Sequence, residues 1–285
     1  MDFLRPSTWT EALEAKAEHP EAVPIAGGTD VMVELNFDRR RPPALIDLTR
    51  VGELQEWDAE NGSVRLGAGV TYTRLITELA DRLPGLAIAS RTVGSPQIRN
   101  RGTVGGNLAT ASPAGDAHPP LLAGDAVVEA ESLTGGPRDI PIADFFTGPK
   151  RSALAPHELI AAVRVPTATG PQQFSKIGTR NAMVIAVASF AVALDPERRR
   201  VGTGIGSAGP TPLRAPAAED LAGAELDWDG RGPLDDDLAR RFAALVAEAA
   251  APIDDVRGSA AYRRHTVAVM ARRTLGWAWD ELRRR

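Results

Sequence analysis

Two glycine-centred segments carry the residue types best suited to holding a ligand. The first is Ala26-Gly27-Gly28-Thr29-Asp30. The second is Thr103-Val104-Gly105-Gly106-Asn107, which runs on through Leu108 to Pro113. Glycine lets a backbone turn sharply and lets a ligand approach main-chain N–H groups. Successive N–H groups at such a turn bind phosphate oxygens. Folded together, the two segments would grip both phosphates of one dinucleotide. The hydroxyls of Thr29, Thr103 and Thr110 and the amide of Asn107 add polar contacts. Each segment taken singly also reads as an ordinary glycine turn.

A third run, Gly204-Ile205-Gly206-Ser207-Ala208-Gly209, has the G-x-G-x-x-G spacing. Pro210-Thr211-Pro212 follows at once. Prolines there forbid the helix whose start would hold a pyrophosphate, so the run reads as a strand end and turn.

Other chemistries are thinly represented. The chain has no cysteine, which removes disulfides, a thiol nucleophile, cysteine-held zinc and a resident iron–sulfur cluster. Its four histidines, His19, His118, His157 and His265, include no i,i+4 pair, so no helical two-histidine metal face exists. Ser207 lacks the glycine two residues before it that a nucleophile elbow needs. Asp116 and His118 share a proline-flanked loop and read as solvated or capping side chains. We therefore assign no catalytic and no metal-ligating residue. Lys plus Arg number 33 against 37 Asp plus Glu, a net charge of −4, so nucleic acid is not an expected partner.

The elements that must position these segments follow from local pattern. Thr8 and Glu11 have capping-box spacing and open a helix over Trp9 to Ala17. Ala22 to Ala26 reads as an edge or first strand because of Pro24. Thr29 and Asp30 start a short helix through Leu35. Strands are expected at Leu45–Leu48, Val64–Ala68, Ala126–Ala130, Asp139–Ile142 and Leu159–Val165. A helix is expected from Thr71 to Leu83, stopped by Pro84-Gly85. After a linker at Thr167 to Pro171 come strands Phe174–Ile177, Met183–Leu194 and Val201–Ser207, with a turn at Gly178 to Asn181. Helices Ala215–Leu221, Leu234–Ala251 and Ala260 to about Leu282 complete an α+β pattern. Trp277 and Trp279 cannot share one helical face, so at least one of them is expected to lie exposed or at an interface. Met1 to Pro6 has no basic flank before an apolar run, and Ala182 to Leu194 is too short to cross a bilayer. A soluble, cytoplasmic protein is expected.

The two glycine segments together become specific. "AGGTD", Ala26 to Asp30, "TVGGNLATASPAGD", Thr103 to Asp116, and "RGSAAYRR", Arg257 to Arg264, make the whole chain resemble the FAD-binding (medium) subunit of the molybdenum hydroxylases. That family includes the flavin subunits of bacterial carbon monoxide dehydrogenase and xanthine dehydrogenase. The resemblance implies a two-subdomain FAD-binding module of the PCMH/VAO-like kind over 1–167, with subdomains about 1–54 and 55–167. It implies a C-terminal domain over 168–285 built from a three-stranded sheet plus helices.

By position, the resemblance carries FAD contacts onto Pro24, Ile25, Ala26, Gly27, Gly28, Thr29, Asp30 and Val31 along the diphosphate. Thr103, Val104, Gly105, Gly106 and Asn107 would wrap its other side. Thr110 and Asp116 would hold the ribityl and ring-proximal part, and Ile160 and Lys176 would reach the flavin from the domain junction. Asp30 is expected to cap backbone N–H groups or a hydroxyl such as that of Thr110. Lys176 reads either as a cation near the flavin or as a surface strand lysine. The implied function is electron transfer in a complex. A large subunit would hold the molybdenum cofactor and a small subunit the [2Fe-2S] clusters. FAD here would pass electrons to an external acceptor, in a heterotrimer that dimerises to a heterohexamer. Two other readings stay open: a stand-alone FAD-dependent oxidoreductase, and a flavin-free scaffold subunit.

Overall fold

The glycine segments are carried by a mixed helix-and-sheet chain, described by a computed structural model over residues 1–285. Three short strands, Asp2–Leu4, Ala44–Asp47 and Val23–Ile25, form a parallel sheet in that spatial order. Pro24 lies in the edge strand, where its missing N–H costs no ladder bond. Helix Trp9–Glu18 connects the outer strands, with Thr8 capping the Glu11 N–H.

A five-stranded antiparallel sheet follows, in the order Trp57–Glu60, Ser63–Gly67, Leu159–Pro166, Val127–Ser132 and Gly136–Pro141. Its strands alternate between core and surface, as in Val127–Ser132, where every second residue is buried. One core unites both sheets and draws on residues from Ala12 to Val165.

A second core runs from Ala188 to Leu282. It lies between a three-stranded antiparallel sheet, Gln172–Ile177, Ala188–Asp195 and Arg200–Gly206, and the helices Pro216–Glu225, Asp236–Ala249 and Ala260–Arg283. In the last helix Trp279 is fully buried while Trp277 is 47% exposed, as their spacing requires.

The two cores meet across glycines. Helix His118–Ala123 packs on strand Arg200–Gly206. A Cβ at Gly202 would lie 2.1 Å from the Ala123 carbonyl oxygen, and one at Gly204 2.0 Å from that of Pro119. The G-x-G-x-x-G run is thus a strand thinned for a helix. Ser207 then turns with φ at +59°, and no helix follows directly.

Three local expectations change. The helix opened by Thr71 ends at Glu78, and Pro84 starts a separate helix, Pro84–Arg91, as the preferred first-turn residue. Glycine-rich Val104–Thr110 is helical, because the Thr103 hydroxyl accepts from the Gly106 N–H at 2.9 Å. Strand Met183–Leu194 begins only at Ala188. Its apolar start bends away at Met183, whose φ is +49°.

Candidate functional site

That bend exposes Met183 and Ile185 on the lip of a cleft of about 1030 Å³. The cleft lies between the first glycine segment, the helix Val104–Thr110, the Ser112–Asp116 turn and the Met183–Ile185 bend.

The two glycine segments converge on its floor. A Cβ at Gly27 would sit 1.9 Å from the Arg101 carbonyl oxygen, so no other residue allows the approach. Gly28 has φ at +74°, the left-handed region that glycine enters without strain. The resulting turn leaves the N–H groups of Gly27, Gly28, Thr29, Asp30 and Val31 without a hydrogen-bond acceptor. Five successive open donors form an anion-holding surface. In the second segment Gly106 faces the cleft, with only the Thr103 hydroxyl within 4 Å of a would-be Cβ. Gly105 points the other way: its Cβ would meet Ala68 at 2.5 Å, so it sets helix-to-sheet distance.

Pro24, Ala26, Gly27, Gly28, Thr29, Asp30, Val31, Thr103, Gly106, Asn107, Thr110 and Asp116 all line the cleft. Ile25, Val104, Gly105, Ile160 and Lys176 stand outside its lining. Ile160 packs in the first core, two residues beyond the lining Glu158. Asp30 corrects its expected role. Its carboxylate caps nothing, and the Thr110 hydroxyl donates instead to the Gly106 carbonyl at 3.0 Å. Asp30 is exposed at the lip, where water solvates its charge without help from the backbone.

Lys176 is not a surface lysine. Its side chain is 7% exposed, and its Nζ donates to Asp116 Oδ2 at 2.6 Å and to the Thr92 carbonyl at 3.1 Å. Burial pushes the Asp116 carboxyl up to about 6, against the pull of the Lys176 ammonium. His118 is fully buried, its ring 4.5 Å from that of Phe146 and tilted 45° to it, with Nε2 3.2 Å from the Asn107 carbonyl. Burial drives it down to about 4, so it is neutral. Asp116 and His118 are therefore neither solvated nor caps.

Polar atoms left without partners on the cleft-lining residues test its fit to a ligand. Tyr72 Oη, Asn107 Oδ1 and Asp116 Oδ1 are buried and have no partner. All three belong to cleft-lining residues. Buried polar atoms without partners are rare in folded chains. Open N–H groups for phosphates, unpaired donors and acceptors for hydroxyls, and this volume together suit a flavin dinucleotide. Tyr72 and Lys16 were not among the residues singled out in the sequence. Lys16 also lines the cleft, with Nζ donating to the Pro20 and Ala22 carbonyls, and burial lowers its pKa. The tyrosine's only sequence signal is a polar tip on the core side of a Thr-capped helix.

Comparison with known proteins agrees with this geometry. Residues 1–168 match the model for the FAD binding domain in molybdopterin dehydrogenase. Residues 173–278 match that for the CO dehydrogenase flavoprotein C-terminal domain. The chain is 31% identical to the xanthine dehydrogenase FAD-binding subunit of Escherichia coli O157:H7, over 97% of this chain and 95% of that one. It is 34% identical to the nicotinate dehydrogenase FAD-subunit of Eubacterium barkeri, over 80% and 81%. Among solved structures, a carbon monoxide dehydrogenase chain of Hydrogenophaga pseudoflava superposes with a TM-score of 0.90 at 28% identity, covering 99% of this chain and 98% of that one.

Proposed function

The chain belongs to the family of FAD-binding subunits of the molybdenum hydroxylases, and from that premise we propose that it is the electron-transfer subunit of such a complex. It would take electrons from [2Fe-2S] clusters on a small partner, fed by a molybdenum cofactor on a large one, and deliver them to an external acceptor. Bound FAD supplies chemistry that exchanges electrons singly or in pairs. The remaining work is positioning, and it falls to this chain's residues.

The observation that carries the reading is the meeting of the two glycine segments under one cleft. The open N–H groups of 27–31 would hold the diphosphate, facing Thr103, Gly106 and Asn107. Thr110 and Asp116 would take the ribityl and ring-proximal part. Lys176 acts through Asp116, fixing its free oxygen toward the cleft. Ile160, Ile25, Val104 and Gly105 support the lining from behind. We read 1–167 as the FAD-binding domain, with subdomains about 1–54 and 55–167, and 168–285 as its C-terminal companion. No residue of this chain need move a proton. No helix is long and apolar enough to cross a membrane. The assembly we propose is a cytoplasmic heterohexamer.

The test is purification of the native protein under mild conditions, with its visible spectrum and its co-purifying chains recorded together. Flavin bands accompanied by a large molybdenum chain and a small iron–sulfur chain are the expected result. Flavin on a solitary chain that turns over its own substrate would replace this reading with a stand-alone oxidoreductase. A colourless protein that takes up no FAD would leave a scaffold.

A further inference from the structure

Tyr72 stands at a point that an apolar residue would fill at lower cost. It is the first residue of the helix Tyr72–Glu78, set by the Thr71 cap. Its N–H donates to the Gly102 carbonyl at 3.0 Å. Its ring lies against Gly102, where a Cβ would come 3.4 Å from the ring edge. Gly27 packs against the same Arg101–Gly102 backbone. The phenol is thereby fixed beneath the joint of the two glycine segments.

Tyr72 is 2% exposed and lines the cleft, and its Oη has no partner. Leaving a buried hydroxyl unpaired destabilises a chain relative to a bare ring. Nothing within the protein offsets that cost. Burial and the nearby Asp116 and Asp30 carboxylates hold the phenol above its usual pKa, so it is a donor throughout the working range. A buried donor without a partner, on a residue that lines a cleft with open N–H groups, calls for an acceptor oxygen on the ligand.

We propose that Tyr72 Oη donates a hydrogen bond to an oxygen of the ribityl–diphosphate stretch of bound FAD. The inference rests on the FAD reading above. It makes Tyr72 a cofactor-binding residue that holds the dinucleotide at the seam between its two loops. The hydroxyl serves the holo form and burdens the apo form.

Tyr72→Phe keeps the ring and removes only the donor. FAD affinity and apo-protein melting temperature are measured on wild type and variant, with the visible spectrum of bound flavin as a control. The expected result is FAD binding weakened about tenfold or more. The apo melting temperature should stay equal or rise, and the flavin bands should not shift. Equal FAD affinity would overturn the proposal. So would weaker binding coupled to a lower apo melting temperature, which is the mark of a structural hydroxyl. Shifted flavin bands at unchanged affinity would overturn it too, by placing the hydroxyl at the ring. If the wild type itself takes up no FAD, the underlying reading fails and this inference with it. Normal wild-type uptake with an indifferent variant sinks the inference alone.

Discussion

Lys176 Nζ lies 2.6 Å from Asp116 Oδ2, with both side chains about nine-tenths buried. The lysine comes from strand Gln172–Ile177 of the C-terminal three-stranded sheet and the aspartate from the second glycine-rich segment. The pair therefore joins the two cores beside the cleft that Asp116 lines, and leaves Asp116 Oδ1 without a partner. Removing one partner strands a buried charge. Lys176→Met should cost about 3 kcal/mol or more of stability by denaturant unfolding. The double variant with Asp116→Asn should recover a large part of that. Two independent, additive losses would show that the ion pair is not coupled.

Gly106 opens onto the cleft and carries no helix contact that a side chain would break, apart from the Thr103 hydroxyl. Gly106→Trp should fill the binding space and abolish FAD retention while circular dichroism stays native. A folded Gly106→Trp protein that holds FAD normally would remove the second glycine segment from the site.

Two buried groups pull stability in opposite directions with pH. His118 is depressed from 6.5 to about 4, so its contribution is full above 6.5 and is lost as pH falls toward 4. Asp116 is raised from 3.8 to about 6, so its contribution is full below about 4 and is lost as pH rises through 6. Between about 4 and 6 they largely cancel. His118→Gln should unmask the aspartate, giving stability that falls with rising pH in that window. The gap between wild type and His118→Gln should widen by ~3 kcal/mol from pH 4 to 6.5. Parallel pH–stability curves would show that His118 titrates normally.

Arg263 anchors the bend that lines the cleft. Its guanidinium donates to the Val187 carbonyl at 3.0 Å, to the Ser207 carbonyl at 2.5 Å and to Asp255 Oδ1 at 2.5 Å, and the residue is 4% exposed. Arg263→Met should destabilise the chain by about 3 kcal/mol and speed proteolysis within residues 178–187. Unchanged cleavage there would detach the bend from this anchor.

Much of this was legible because it is local. Thr8 with Glu11, Pro24 at an edge strand and Pro210 after the glycine run each act through backbone rules that span a few residues. The glycine segments and the long C-terminal helix are visible for the same reason. The rest depended on partners far away in the chain. Nothing near Lys176 announces Asp116, and nothing near Gly27 announces Arg101. The AMVIAVASFAVAL stretch reads as one strand, because an apolar run carries no mark of where it leaves the sheet to line a cleft. Tyr72 stayed hidden because its significance is an absence, a hydroxyl with no partner, and sequence shows residues but not their neighbours.

The central claim is that this cleft holds FAD on this chain. The direct measurement is titration of the apo-chain with FAD, following flavin bands and protein-bound flavin to saturation, beside Gly106→Trp. Binding of about one FAD per chain that disappears in the variant is the expected result. A wild-type chain that stays colourless at saturating FAD, or a variant that binds as the wild type does, would contradict it.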